Sequence, residues 1–131
     1  MQVLFVEDDA MNRKVVKDML SVFGASMAEA EDAETGLRMI EEGEFNVILM
    51  DLRMPGMDGF EAIRRVRART DAKANLPIIV VTADTAVDLR EKCLAIGADD
   101  VILKPVAMGL LLKSMSKLLA KAASDSGFTI N

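Results

Sequence analysis

Two hydrophobic patterns alternate along the chain. Uninterrupted apolar runs occur at Val3 to Val6, Val47 to Met50, Ile78 to Val81 and Val101 to Leu103. Short runs of this kind, bounded by turn formers, read as strands buried on both faces. Ser26 to Ala30 is a weaker fifth strand. Between the runs the spacing becomes helical. Val15, Val16, Met19, Leu20 and Phe23 make an apolar face against Arg13, Lys14, Lys17 and Asp18, and Gly24 stops that helix. Ala33 to Glu42 turns Leu37 and Ile40 or Met39 inward and ends at Gly43. Gly59 to Arg67 buries Phe60, Ile63 and Val66 and sets Arg64, Arg65, Arg67 and Arg69 outward. Thr85 to Ile96 is the fourth helix. The last runs from about Val106 to Ala122, with Leu111, Leu112, Met115, Leu118 and Leu119 as its stripe.

Strict alternation of strand and helix predicts a parallel sheet with helices on both faces, because parallel crossovers need a helix and are right-handed. The expected fold is α/β, a doubly wound five-stranded sheet in one domain over residues 1–122. Residues 123–131 are expected to form a flexible tail. Sheets of this kind bind ligands at the carboxyl ends of their strands.

Composition narrows the function. Of 131 residues, 51% are apolar and 28% charged, the balance of an ordinary globular domain. A net charge of -5 argues against a nucleic-acid backbone or an anionic membrane as the main partner. A cation or a basic protein surface fits better. The single cysteine, Cys93, cannot form an internal disulfide, and Val3 to Val6 is too short for a signal peptide or a membrane span. A reducing cytoplasm is the expected compartment. With no histidine in these residues, acid chemistry must run on carboxylates.

Those carboxylates gather at the strand ends. The first strand ends in Glu7, Asp8 and Asp9, the third in Asp51, the fourth in Thr82 and the fifth in Lys104. Two carboxylates about 4 Å apart repel by roughly 4 kcal/mol at an effective dielectric near 20. Lys104 offsets part of this, and a hard divalent ion with oxygen ligands, Mg2+ rather than zinc, suits the rest. A carboxylate held this way can attack phosphorus in line while metal, ammonium and hydroxyl neutralise the equatorial oxygens. Asp51 is then the nucleophile, Lys104 and Thr82 the phosphoryl contacts, and Glu7 and Asp8 the metal holders.

FVEDDAMNRKVV, VILMDLRMPGMDG, IIVVTAD and GADDVILKP, in that order and spacing, closely resemble the four motifs of receiver domains of two-component response regulators. The likeness runs from residue 2 to about 121. It implies a flavodoxin-like (βα)5 fold of strand order 2-1-3-4-5, with Asp51 phosphorylated by a histidine kinase or histidine phosphotransfer protein. It implies Mg2+ on Glu7, Asp8, Asp51 and the backbone carbonyl of Arg53. Thr82 falls on the switch hydroxyl and Lys104 on the phosphate-binding lysine, whose bond to Pro105 is cis in many members. Two features depart from the pattern. Val101 stands where many receivers have an aromatic residue, so an aromatic rotamer switch cannot operate. Arg53 and Asp84 occupy positions that tune phosphate lifetime, and their opposite charges are expected to pair across the site mouth and hinder attacking water.

Plainer roles compete for several residues. Asp9 is better placed to cap the first helix than to bind metal, and Asp84 or Thr85 to cap the fourth. Met19, Met39, Met50 and Met115 read as core, whereas Met11, Met54 and Met57 are candidates for an interface. The arginines of the third helix read as a solvated face and Cys93 as a small buried apolar residue.

The expected function is a stand-alone, chemotaxis-regulator-like receiver, a non-enzymatic phosphorylation-controlled module. Its output surface is the fourth helix, fifth strand and fifth helix, about Thr85 to Ala122, read by a downstream protein without direct nucleic-acid or membrane contact. A monomer or weak dimer is expected. A relay intermediate and a receiver segment of a hybrid kinase are the alternatives, although Met1 leading straight into the first strand is expected of a complete small protein. A Mg2+-dependent phosphatase would want an acid where Arg53 stands, and a flavin carrier would want a phosphate-cradling loop after the first strand.

Overall fold

In the computed structural model, which describes residues 1–125, every apolar run becomes a strand. These are β1 (Gln2–Val6), β2 (Ser26–Ala30), β3 (Val47–Met50), β4 (Ile78–Thr82) and β5 (Asp100–Leu103). They pair in parallel in the order β2-β1-β3-β4-β5. The winding therefore reverses between β1 and β3.

Successive strand residues point to opposite faces, so the sheet has two apolar layers. Leu4, Val6, Ile48, Met50, Ile78 and Val80 pack with α2 (Ala33–Glu42), α3 (Gly59–Arg67) and α4 (Leu89–Ala95). Val3, Phe5, Val47, Leu49, Ile79 and Val81 pack with α1 (Ala10–Val22) and α5 (Met108–Asp125). All of β3 and β4 is buried. Each such aliphatic side chain contributes ~1.5–3 kcal/mol of burial, which makes these strands a stiff support for whatever stands at their ends. Asp9, Asp32 and Asp58 cap α1, α2 and α3 by accepting first-turn N–H bonds, as expected for Asp9. Cys93 is buried.

The structure corrects the helix readings in several places. Val16 and Leu20, four apart on one stripe of α1, face the sheet, whereas Val15 is 42% and Phe23 54% exposed. One residue step turns a helical side chain by about 100°, which carries Val15 off the stripe; Phe23 lies past the last helical residue. α4 starts at Leu89 rather than Thr85, because Asp84 Oδ1 accepts the Ala86 N–H at 2.9 Å and forms a turn instead of a cap. Met54 is buried and so is no interface residue.

Arg67 does not point outward. Its guanidinium donates to the carbonyls of Gly97 (2.8 Å), Ala74 (2.8 Å) and Leu76 (2.7 Å) and to Asp99 (3.0 Å). Glycine permits that approach: at residue 97, with φ of +114°, a Cβ would lie 2.6 Å from Arg67 Cγ. α5 continues to Asp125, so residues 123–125 of the expected tail are helical. The remainder, 126–131, lies outside the described residues. Among the described residues, no helix is long and apolar enough to cross a membrane.

Candidate functional site

The carboxyl ends of β1, β3, β4 and β5 meet along one edge of the sheet, around the point where the strand order reverses. Val6 pairs with Met50, so the next residues, Glu7 and Asp51, emerge side by side. Thr82 pairs with Leu103, and the Lys104 N–H donates to the Thr82 carbonyl at 2.8 Å. Glu7, Asp8, Asp51, Thr82 and Lys104 thus line a single open cleft, with Asn12, Arg53 and Asp84. α3 begins hard against it. The Gly59 N–H donates to the Leu52 carbonyl at 3.1 Å, and a Cβ on Gly59 would lie 2.2 Å from the Asp51 carbonyl oxygen.

Charge in the cleft is unbalanced. Glu7 is fully buried, Asp51 is 3% exposed, and Asp8 is exposed. One oxygen from each lies within 4.8 Å of the others. Lys104 Nζ bonds Glu7 Oε1 and stands 3.6 Å from Asp51 Oδ2. Burial pushes the Glu7 pKa up and Asp51 adds to the effect, while Lys104 opposes it. One ammonium cannot neutralise three carboxylates, and Glu7 Oε2 is buried with no hydrogen-bond partner. Three converging carboxylates, one with an unsatisfied oxygen, fit a hard divalent cation such as Mg2+.

The remaining groups frame this centre. Thr82 is buried, and its Oγ1 accepts the Asp84 N–H at 3.2 Å, leaving the hydroxyl proton free to donate elsewhere. The Arg53 guanidinium reaches Asp84 Oδ2 at 2.5 Å, the pair expected across the mouth. Asp84 is held below the usual carboxylate range by Arg53, and Arg53 is raised by Asp84. The Arg53 N–H makes a long 3.5 Å contact with Asp51 Oδ1. The Lys104–Pro105 peptide is cis. Val101 on β5 is half-buried and pairs with Val80 of β4.

Two contributors escaped the sequence reading. The Asn12 side-chain amide donates to Glu7 Oε1 at 2.9 Å, and Arg13 donates to the Glu7 main-chain carbonyl at 2.7 Å. Their only signal was a place in the first turn of a helix that starts beside the acids.

The sequence model of the response regulator receiver domain matches residues 3–116. The chain belongs to that family and is a receiver domain of two-component signalling, a regulator class. It is 36% identical over 126 residues to response regulator MprA of Mycobacterium sp. strain KMS, with 96% of this chain and 54% of that protein covered. The chain therefore spans about half the length of the MprA relatives it matches. It is 32% identical over 122 residues to chemotaxis protein CheY of Pseudomonas aeruginosa, covering 92% of this chain and 98% of that one. The receiver domain of the Pseudomonas aeruginosa sensor histidine kinase PA1611, solved with a magnesium ion coordinated in its active-site cleft, superposes with a TM-score of 0.82. Identity to it is 32%, with 91% of this chain and 97% of that chain covered.

Proposed function

We propose that Asp51 accepts a phosphoryl group from a phosphohistidine on a partner protein, and that the modified domain signals through the surface of α4, β5 and α5. One observation carries this reading: a nearly buried carboxylate, backed by a rigid strand, lies 3.6 Å from a lysine ammonium and beside two further acids.

In the transfer, an Asp51 oxygen bonds to phosphorus as the phosphorus–nitrogen bond breaks, and the imidazole leaves with that electron pair. Glu7, Asp8, Asp51 and the Arg53 carbonyl would hold Mg2+, which would supply positive charge to offset that of the phosphoryl oxygens. Lys104 turns from Glu7 toward one of those oxygens. Thr82 donates its hydroxyl proton to another. Turning Thr82 breaks the bond it accepts from the Asp84 N–H, and Asp84 begins the segment that leads to α4 at Leu89. A change at phosphorus is thereby passed to the helix, which biases a two-state surface.

That surface is suited to a protein reader, since Val87, Leu94, Leu103, Met108 and Leu110 are all exposed on or next to it. The donor would dock at the other side of the cleft, where Met11 and Val15 are exposed on the first turns of α1. The histidine donor would be a kinase or a histidine phosphotransfer protein, and the buried free thiol of Cys93 suits the reducing cytoplasm expected of such a system. Likeness to the receiver of a sensor histidine kinase favours a second reading, in which phosphate passes from Asp51 to another histidine. Rapid loss of the phosphoryl group on mixing with a histidine phosphotransfer domain would select the relay; slow loss would select the terminal regulator.

Incubation with Mg2+ and acetyl phosphate, followed by intact-mass measurement, tests the central step. Wild type should gain one phosphoryl group and Asp51→Asn none. A gain in both, or in neither, would reject Asp51 as the acceptor.

A further inference from the structure

We propose that Asn12 is a positioning residue for Glu7, the first acid of the metal-binding set, with Arg13 anchoring the main chain beneath it. The inference rests on the metal reading above. Glu7 is fully buried, so each of its polar atoms needs a partner. Its N–H donates to the Ala30 carbonyl at 2.9 Å. Its own carbonyl accepts from Arg13 at 2.7 Å, and Arg13 is steadied in turn by Glu29 at 3.0 Å. Oε1 accepts from both Asn12 and Lys104. Only Oε2 is left over.

The two donors on Oε1 differ in permanence. Lys104 has a second duty, because its ammonium must turn toward a phosphoryl group on Asp51. When it leaves, the Asn12 amide is the side-chain donor that still fixes the carboxylate. Stripped of both, a buried carboxylate would be strongly disfavoured and free to rotate away. An amide also suits the place electrostatically: it donates without adding charge to a set that already has three acids. Asn12 is itself held in place, since Asp9 Oδ1 accepts its main-chain N–H at 3.3 Å and that of Met11 at 2.8 Å. A chain of contacts thus runs from the helix cap through Asn12 to the metal ligand. Groups that orient metal ligands in this way typically govern affinity by 10- to 100-fold.

Calorimetric Mg2+ titration of the full chain tests the proposal, with Asn12→Leu as the isostere without a donor and Asn12→Ala as the smaller variant. Glu7→Gln, Lys104→Met and the Asn12→Leu/Lys104→Met double variant complete the set, each checked for folding by circular dichroism in EDTA. The expected result is about tenfold or greater weakening in both Asn12 variants. The Asn12→Leu factor should be larger in the Lys104→Met background, because the Glu7 carboxylate then keeps neither of its two donors. Equal factors in the two backgrounds would mean that Asn12 acts only on general stability and would overturn the proposal. Wild-type affinity in the Asn12 variants alongside weakened binding in Glu7→Gln would overturn it too, while leaving the metal reading intact. No saturable Mg2+ binding by wild type would remove the metal reading, and this inference with it.

Discussion

Replacing Gly59 by alanine tests how tightly the site is built. The added Cβ would meet the Asp51 carbonyl oxygen at 2.2 Å, Leu52 Cα at 2.9 Å and the Asp51 carbonyl carbon at 3.0 Å. All three are backbone atoms at the end of a strand buried on both faces, so no rotamer change relieves the contact. The gap must open by about 0.8 Å to reach even 3.0 Å, the lower limit for Cβ contacts. Overpacking of this kind costs ~1–3 kcal/mol, and more where neighbours cannot move. Alanine's better helix propensity returns under ~1 kcal/mol. A net loss of about 2 kcal/mol follows, which lowers the melting temperature by roughly 5–10 °C. The displacement falls on Asp51 itself, so Mg2+ affinity should drop by about tenfold as well. Far-UV circular dichroism is the suitable stability probe, since the chain has no Trp or Tyr, and calorimetry reads the metal. An alanine variant with wild-type melting and wild-type Mg2+ affinity would refute the close contact between the start of α3 and the end of β3.

Three other predictions are independent of that one. Arg53→Ala and Asp84→Ala should each shed the phosphoryl group several-fold faster than wild type, because the bridge across the mouth is lost; unchanged decay in both would show that the pair does not screen water. Glu7 has a pKa raised above its ordinary 4.5, so the folded state holds that proton longer than the unfolded chain does. Its contribution is therefore present below pH 4.5 and is lost as pH rises through the raised value. In EDTA, wild type should lose stability relative to Glu7→Gln over that window, and parallel curves would contradict the burial argument. Arg67→Met removes the donor to three carbonyls and Asp99, and should cost about 3 kcal/mol of unfolding free energy while leaving Mg2+ affinity unchanged. A stable Arg67→Met variant would return that residue to the solvated face.

The inner strands were legible because they are buried on both faces, and a run such as Val47 to Met50 allows no polar residue until the chain leaves the sheet at Asp51; the edge strand β2, largely uncovered, gave the weaker signal. The site was legible for the same reason: its residues stand directly after such runs, and parallel order brings those ends together. Arg67 was not legible. A charged residue in the last turn of a helix reads as exposed, and its partners at Ala74, Leu76 and Gly97 are main-chain carbonyls, which no side-chain pattern advertises. The start of α4 was misplaced because Asp84 looks like a cap, yet it serves the Ala86 turn and the Arg53 bridge. Asn12 was missed because its role depends on which side of α1 meets the acids. Helical spacing gives the faces of a helix but does not say what a polar face will touch.

Trapping the acyl phosphate tests the central claim most directly. Phosphorylated protein would be reduced with borohydride, which converts an aspartyl phosphate to homoserine, and the peptide spanning Val47 to Gly59 would be sequenced by mass spectrometry. The expected result is homoserine at position 51, dependent on Mg2+ and absent when Lys104 is replaced by methionine or greatly reduced. Homoserine at any other acid, or none despite a gain of phosphate, would contradict the assignment of Asp51 as the residue through which this receiver is switched.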